Sequence, residues 1–134
     1  MDGTLTALLD ELARFGKEND ARETERLRRM LNITPDTGRL LWIMVGTSRA
    51  TRILEVGTSN AYSTIWLADA ARGTGGRVIS LELDSAKVVL ARGNLTRAGL
   101  GDRVEIRAGR AADTYPPSPA PSTSSSSTQT VPST

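Results

Sequence analysis

Apolar positions fall at helical spacing in the first third of the chain and switch to a strand-helix alternation after it. Leu5, Leu8, Leu9 and Leu12 recur at intervals of three and four, which predicts an amphipathic helix over 5–15. The polar run 16–20 breaks that pattern. A second helix is expected over 21–31, with Leu27, Met30 and Leu31 as a thin apolar stripe that must pack on another element or another subunit. Thr34-Pro35-Asp36 is a helix start: a hydroxyl cap, a proline in the first turn, and an acid favoured by the helix dipole. Leu40, Leu41, Ile43, Met44 and Val45 make this helix strongly apolar, so it is expected to lie against a sheet and to end near 46–49.

From residue 51 the alternation takes over. A buried strand is expected over 52–56, followed directly by Gly57. A helix is expected over 61–71, a glycine-rich loop at 73–76 and a second strand over 78–83. Asp84 or Ser85 caps a helix running to Ala98, where Gly99 supplies the stop, and a third strand covers 103–108. Strands joined by single crossover helices with short links give a parallel sheet, because each helix returns the chain to the same end. The fold class expected is therefore α/β, with helices preceding the first three strands of a Rossmann-like sheet.

The character changes after Tyr115. Of the 19 residues from Pro116 to Thr134, seven are Ser, four Thr and five Pro, and none is charged. Such a stretch buries too little apolar surface to offset its ordering entropy, so disorder is expected over 116–134. The organisation is then helices over 1–50, a binding half over 51–115 and a tail over 116–134. Two explanations of the tail stay open, a genuine Ser/Pro extension and an out-of-frame stretch of the same gene. Either way the first strand is expected to be left as an open, association-prone sheet edge.

Composition narrows the chemistry. The chain has no cysteine and no histidine, which excludes thiol nucleophiles, disulfides and a histidine base. A net charge of +2 is weak, and Arg26, Arg28 and Arg29 sit beside Glu23 and Glu25, a pattern that argues against nucleic acid. The amino terminus lacks a basic-then-apolar signal and no apolar run has membrane-spanning length, so a cytoplasmic chain with no membrane partner is expected.

Ligands of parallel sheets bind at the carboxyl ends of the strands, where helix N-termini point their free amides. The first such end reads Glu55-Val56-Gly57-Thr58-Ser59-Asn60-Ala61-Tyr62-Ser63. Gly57 permits a sharp turn and a close ligand approach. Ser63, in the first turn of the next helix, suits a carboxylate. Glu55 is costly at the end of a buried strand unless it meets a positive partner. That partner is an arginine or a ligand ammonium, and S-adenosylmethionine brings both an ammonium and a carboxylate. The second end is Glu82, placed to accept two ribose hydroxyls or, alternatively, to cap a helix. The third is Gly109-Arg110-Ala111, bordering the adenine. A dinucleotide site needs a second glycine close to its pyrophosphate, and Thr58-Ser59 stand there instead, which favours the phosphate-free cofactor.

These words resemble the cation-dependent O-methyltransferases, the family of catechol and caffeoyl-CoA O-methyltransferases and their bacterial relatives. The resemblance runs from about Asn32 to Asp113 and is carried by Asn32-Ile33-Thr34-Pro35-Asp36-Thr37-Gly38, ILEVGTSNAYSTIWLA, VISLELD and VEIRAGRAAD. It implies a Rossmann-like S-adenosylmethionine-dependent fold, incomplete after the third strand, and transfer of a methyl group to a hydroxyl of a small, catechol-like acceptor. Residue by residue, it implies that Ile33 lies beside the methionine moiety, Glu55 meets the ammonium, and Gly57 and Thr58 line the turn. It further implies that Ser63 meets the carboxylate, Glu82 holds the ribose, and Ala111 borders the adenine. Ala61 departs from the family's glycine and is expected to crowd the cofactor, and Ser59-Asn60 replaces a small or aromatic pair. The family's divalent metal, Mg2+, has its aspartate ligands beyond the third strand, where this chain has its tail. A catalytically incomplete enzyme is therefore expected, with a non-catalytic binding remnant as the alternative and a homodimer as an open question.

Overall fold

The computed structural model describes residues 1–114 and 129–133. Its elements run α1 (Gly3–Arg22), a 3-10 turn (Arg26–Arg28), α2 (Pro35–Ser48), β1 (Arg52–Val56), α3 (Tyr62–Thr74), β2 (Arg77–Glu82) and α4 (Ser85–Ala98). A second 3-10 turn (Gly101–Arg103), β3 (Val104–Ala108), α5 (Ala111–Thr114) and β4 (Gln129–Ser133) complete the order. The sheet order is β3-β2-β1-β4. The first three strands are parallel, with Ile53 beside Val78 and Val78 beside Val104. This is the α/β arrangement that the alternation of periods predicts.

The two crossovers step in the same direction, so right-handed connection puts α3 and α4 on one face of the sheet. Ile53, Val78, Val104 and Ile106 meet Ile65, Leu67, Ala68, Val88, Ala91 and Leu95 there in a single core. Every residue of α3 from Tyr62 to Ala71 is buried, since α1 and α2 cover its outer side. Each large apolar side chain so enclosed contributes about 1.5–3 kcal/mol.

Local signals set most boundaries. The Thr34 hydroxyl accepts from the Thr37 amide to open α2, and the Asp84 carboxylate accepts from the Ala86 amide to open α4. Gly75 and Gly99 close α3 and α4 in the left-handed conformation. Asp2 caps α1 by accepting from the Leu5 amide at 2.8 Å.

Four expectations need correction. The polar run 16–20 does not break the first helix: α1 continues to Arg22, because Gly16 lies against the Asn32 side chain and the polar residues after it occupy the outer side. The helix expected over 21–31 is a single 3-10 turn, held instead by the Asp20 carboxylate, which accepts from the Met30 and Leu31 amides at 2.7 and 2.9 Å. Third, α2 packs on α3, not on the sheet, and buries Gly38 and Val45 while Leu40, Ile43 and Met44 stay exposed. Its apolar content exceeds what its neighbour covers.

The tail is the fourth. Residues 129–133, expected to be disordered, form β4, which pairs antiparallel with β1, Leu54 facing Val131. The open edge of β1 offers unpaired amides and carbonyls, and backbone pairing asks little of side-chain chemistry. Hence β1 is an interior strand. The rest of the expected disorder, at 116–128 and at Thr134, lies outside the described residues. Among the described residues, no helix is long and apolar enough to cross a membrane.

Candidate cofactor site

The carboxyl ends of β1 and β2 lie side by side, with Val56 next to Leu81. Beyond them the chain turns through Gly57, at φ 94, and both Gly57 and Thr58 donate their amides to the Leu81 carbonyl, at 2.8 and 3.3 Å. That turn needs glycine because φ lies in the region closed to most side chains. Ser59 and Ala61 also take positive φ, at 52° and 72°. A left-handed alanine is strained by its own Cβ, so the departure at Ala61 acts through the backbone.

Glu55 is fully buried, and its side chain points to the helical face of the sheet. The expected positive partner is not an arginine. Three hydroxyls hold the carboxylate instead: Ser63 donates to Oε2 at 2.7 Å, while Ser80, at 2.8 Å, and Thr64 donate to Oε1. Burial pushes the Glu55 carboxyl above its usual value, the Thr64, Ser63 and Ser80 hydroxyls oppose that, and the negative charge of Glu82 adds to it. A carboxylate accepts about four hydrogen bonds, and three are filled. Oε1 accepts two of these bonds and Oε2 one.

Glu82 is held by backbone. Its Oε1 accepts from the Ser59 amide at 2.8 Å and its Oε2 from the Asp84 amide at 3.0 Å, so it fixes the turns after both strands. It remains half-buried. Thr58 is buried, with its hydroxyl 2.6 Å from that of Ser80. Ser63 is the second residue of α3, and its hydroxyl is taken by Glu55, whereas a carboxylate ligand was expected on it. Ile33 packs on the edge of the core from the segment before α2. Gly109 takes φ 122 and donates to the Glu82 carbonyl at 2.8 Å, bringing the third strand end beside the second, and Ala111 begins α5.

The structure adds residues that sequence reasoning passed over. Thr64 and Ser80 complete the Glu55 cradle, and their signal was a hydroxyl on the buried side of a helix and of a strand. Asn60 is fully buried, accepts from the Tyr62 amide, and is tied through its carbonyl to the Asn94 amide group at 2.9 Å. A strap crosses the site: Ser59 Oγ donates to the Met30 carbonyl at 2.6 Å, and Lys87 Nζ to the Arg29 carbonyl at 2.7 Å. An open groove of about 670 Å³ lies elsewhere, between the later turns of α2 and α3, lined by Trp42, Ile43 and Asp69. Asp69 there is already satisfied by Trp42 Nε1 and Arg72, so it serves packing.

Among the described residues, no group of three or more acidic, histidine or cysteine side chains could hold a metal ion. They do not fit the divalent cation that the resemblance implies.

Comparison with known proteins agrees with this architecture. The family described as O-methyltransferase matches residues 4–116. A catechol O-methyltransferase of Mycobacterium tuberculosis is 40% identical over 116 residues, covering 87% of this chain and 50% of the relative. A second, from Niastella koreensis, is 41% identical over 86 residues, covering 64% of this chain and 38% of the relative. The crystal structure of an O-methyltransferase from Bacillus cereus in complex with SAH superposes with TM-score 0.65 at 36% identity, covering 80% of this chain and 45% of that one. TomG of Streptomyces achromogenes in complex with SAM superposes with TM-score 0.66 at 31% identity, covering 92% and 50%. The chain thus spans about half the length, or less, of these relatives. With its parallel sheet, its glycine turn and a family match over most of its length, the chain belongs to the O-methyltransferase family.

Proposed function

We propose that this chain holds S-adenosylmethionine across the carboxyl ends of β1 and β2, as the donor half of an O-methyltransferase. The acceptor is a hydroxyl on a small aromatic compound of the catechol class. One observation carries the reading: two acids end adjacent parallel strands beside a glycine turn, and the buried one keeps a hydrogen-bonding position that no described side chain fills. The SAH and SAM complexes of the structural relatives and the catechol O-methyltransferases among the sequence relatives support the same assignment.

The bound cofactor supplies an electrophilic methyl group on sulfur. The chain's own residues position it. Glu55 would accept the ammonium at Oε2, which has one hydrogen-bond donor where Oε1 has two, and the amides opening α3 near Ser63 would face the carboxylate. Glu82 accepts the ribose hydroxyls, Gly57 and Thr58 let the backbone approach, and Ile33 and Ala111 border the methionine and adenine ends. The described residues thus account for holding the donor, and the acceptor's deprotonation belongs to parts of the fold this chain does not span. Calorimetric titration with S-adenosylhomocysteine (SAH), followed by a methyl-transfer assay with a catechol and magnesium, tests the reading. Saturable binding without turnover is the expected result for this chain, and absence of binding would remove the proposal.

A further inference from the structure

The turn that joins β1 to α3 is strained, and it is held from two sides. Ser59 and Ala61 take φ values of 52° and 72°, in the left-handed region that strains an L side chain, and Asn60 lies between them. Such residues persist only where their surroundings fix them. Glu82 and Met30 fix the amino-terminal side of the turn, since the Ser59 amide donates to Glu82 and the Ser59 hydroxyl to the Met30 carbonyl.

The other side leads into α3. Ala61 opens that helix without a side-chain cap, its amide returns to the Thr58 carbonyl at 2.9 Å, and the Tyr62 amide donates to the Asn60 side-chain oxygen at 3.2 Å. These contacts are local and do not fix the turn against the rest of the molecule. Asn94 does so from α4, 34 residues on: its side-chain amide donates to the Asn60 carbonyl at 2.9 Å. The Asn60 side chain adds no such anchor, because it is fully buried and its Nδ2 has no partner among the described residues. Asn94 is itself only 6% exposed, on the side of α4 that buries Ala91 and Leu95. A polar side chain there costs free energy that an apolar one would not, unless its hydrogen bond is made.

We propose that Asn94 is a positioning residue for the cofactor. Through the Asn60 carbonyl it holds the strained turn on its Ala61 side, and so sets where the amides opening α3 and the Ser63 hydroxyl stand relative to Glu55. Its effect falls on the amino-acid end of the ligand, because the ribose end rests on Glu82 and Ser59, which have ties of their own. This inference rests on the cofactor reading and adds to it a residue that acts through another.

The test titrates the full chain with SAH and with adenosine by calorimetry, as parent and as Asn94→Leu, which keeps the shape of the side chain without its donor. SAH is expected to weaken about tenfold, as loss of preorganisation does, while adenosine stays within about twofold of the parent. Glycine takes the left-handed conformation without strain, so a turn with Ala61→Gly no longer needs the tie. The double variant Ala61→Gly/Asn94→Leu is therefore expected to bind SAH within about threefold of Ala61→Gly alone, a coupling that a residue merely filling the core would not show. Thermal melting follows each variant, and the double variant is expected to melt cooperatively even if Asn94→Leu alone does not. Unchanged SAH affinity in Asn94→Leu, equal losses of SAH and adenosine, or a double variant that is unfolded or unrescued overturns the proposal and leaves the cofactor reading in place. A parent chain that does not bind SAH removes the cofactor reading, and this proposal with it.

Discussion

The ends of β1 and β2 are neighbours and each carries a glutamate, yet the two acids are built in opposite ways. Glu55 turns inward, fully buried, and is held by the hydroxyls of Ser63, Thr64 and Ser80. Glu82 is half-buried and is held by the amides of Ser59 and Asp84. A buried carboxylate without a cation costs free energy that hydroxyl donors offset in part. A half-buried carboxylate on backbone amides is inexpensive and fixes the loops around it. The difference teaches that one acid is kept at a cost that its hydroxyl donors offset only in part, while the other supports the fold, and the proposed function gives both a place at the cofactor.

Breaking the half-buried acid should have the largest effect. Glu82→Ala removes the proposed ribose acceptor and frees two loop amides, so binding of SAH is expected to weaken about 10–100-fold, from the roughly 1.5–3 kcal/mol of a charged hydrogen bond. Unchanged affinity in calorimetry would detach Glu82 from the site. Next comes the cradle of the inward acid. Thr64→Val keeps shape but takes a donor from Glu55, and a loss of about 1–3 kcal/mol of stability is expected in denaturant unfolding.

The sign of the pH response sharpens the contrast. Burial raises the Glu55 carboxyl in the folded chain, so the unfolded state releases its proton first as pH rises. Its contribution to stability is fully present below the ordinary glutamate range and is lost as pH climbs through the raised folded value. Glu55→Gln should flatten that decline in melting temperature across the pH range above the ordinary carboxylate value; a slope identical to that of the parent chain would refute the assignment. The smallest effect is expected at Ala61. Replacing this left-handed alanine by glycine relieves about 1–2 kcal/mol of backbone strain but adds about 0.5–1 kcal/mol of unfolded-state entropy. A net gain of roughly 0.5 kcal/mol in stability from denaturant unfolding is the expected outcome, and a clear loss would show that the Ala61 methyl group packs better than its backbone suffers.

Sequence alone disclosed the parts of the molecule where a local rule dominates. Caps at Thr34 and Asp84 and stops such as Gly99 marked helix ends, and strands alternating with helices over short links dictated the parallel sheet. Glu55 and Glu82 were legible as strand-end acids because charge there is unusual. What stayed hidden depends on partners distant in sequence. Gly16 reads as a breaker until Asn32 is seen against it, and the apolar run of α2 does not say whether a helix or a sheet will receive it. Thr64 and Ser80 look like ordinary helix and strand residues until folding brings them to Glu55. Pairing of 129–133 with β1 comes from backbone groups, which a Ser/Thr/Pro composition does not advertise.

The most direct test compares two ligands on two variants by calorimetry. If Glu55 reads the amino-acid end and Glu82 the ribose, Glu55→Gln should weaken SAH at least tenfold while leaving adenosine unchanged, and Glu82→Gln should weaken both. Equal losses of adenosine and SAH in Glu55→Gln would contradict the account, because Glu55 would then act on the fold of the crevice and not on the ligand's ammonium.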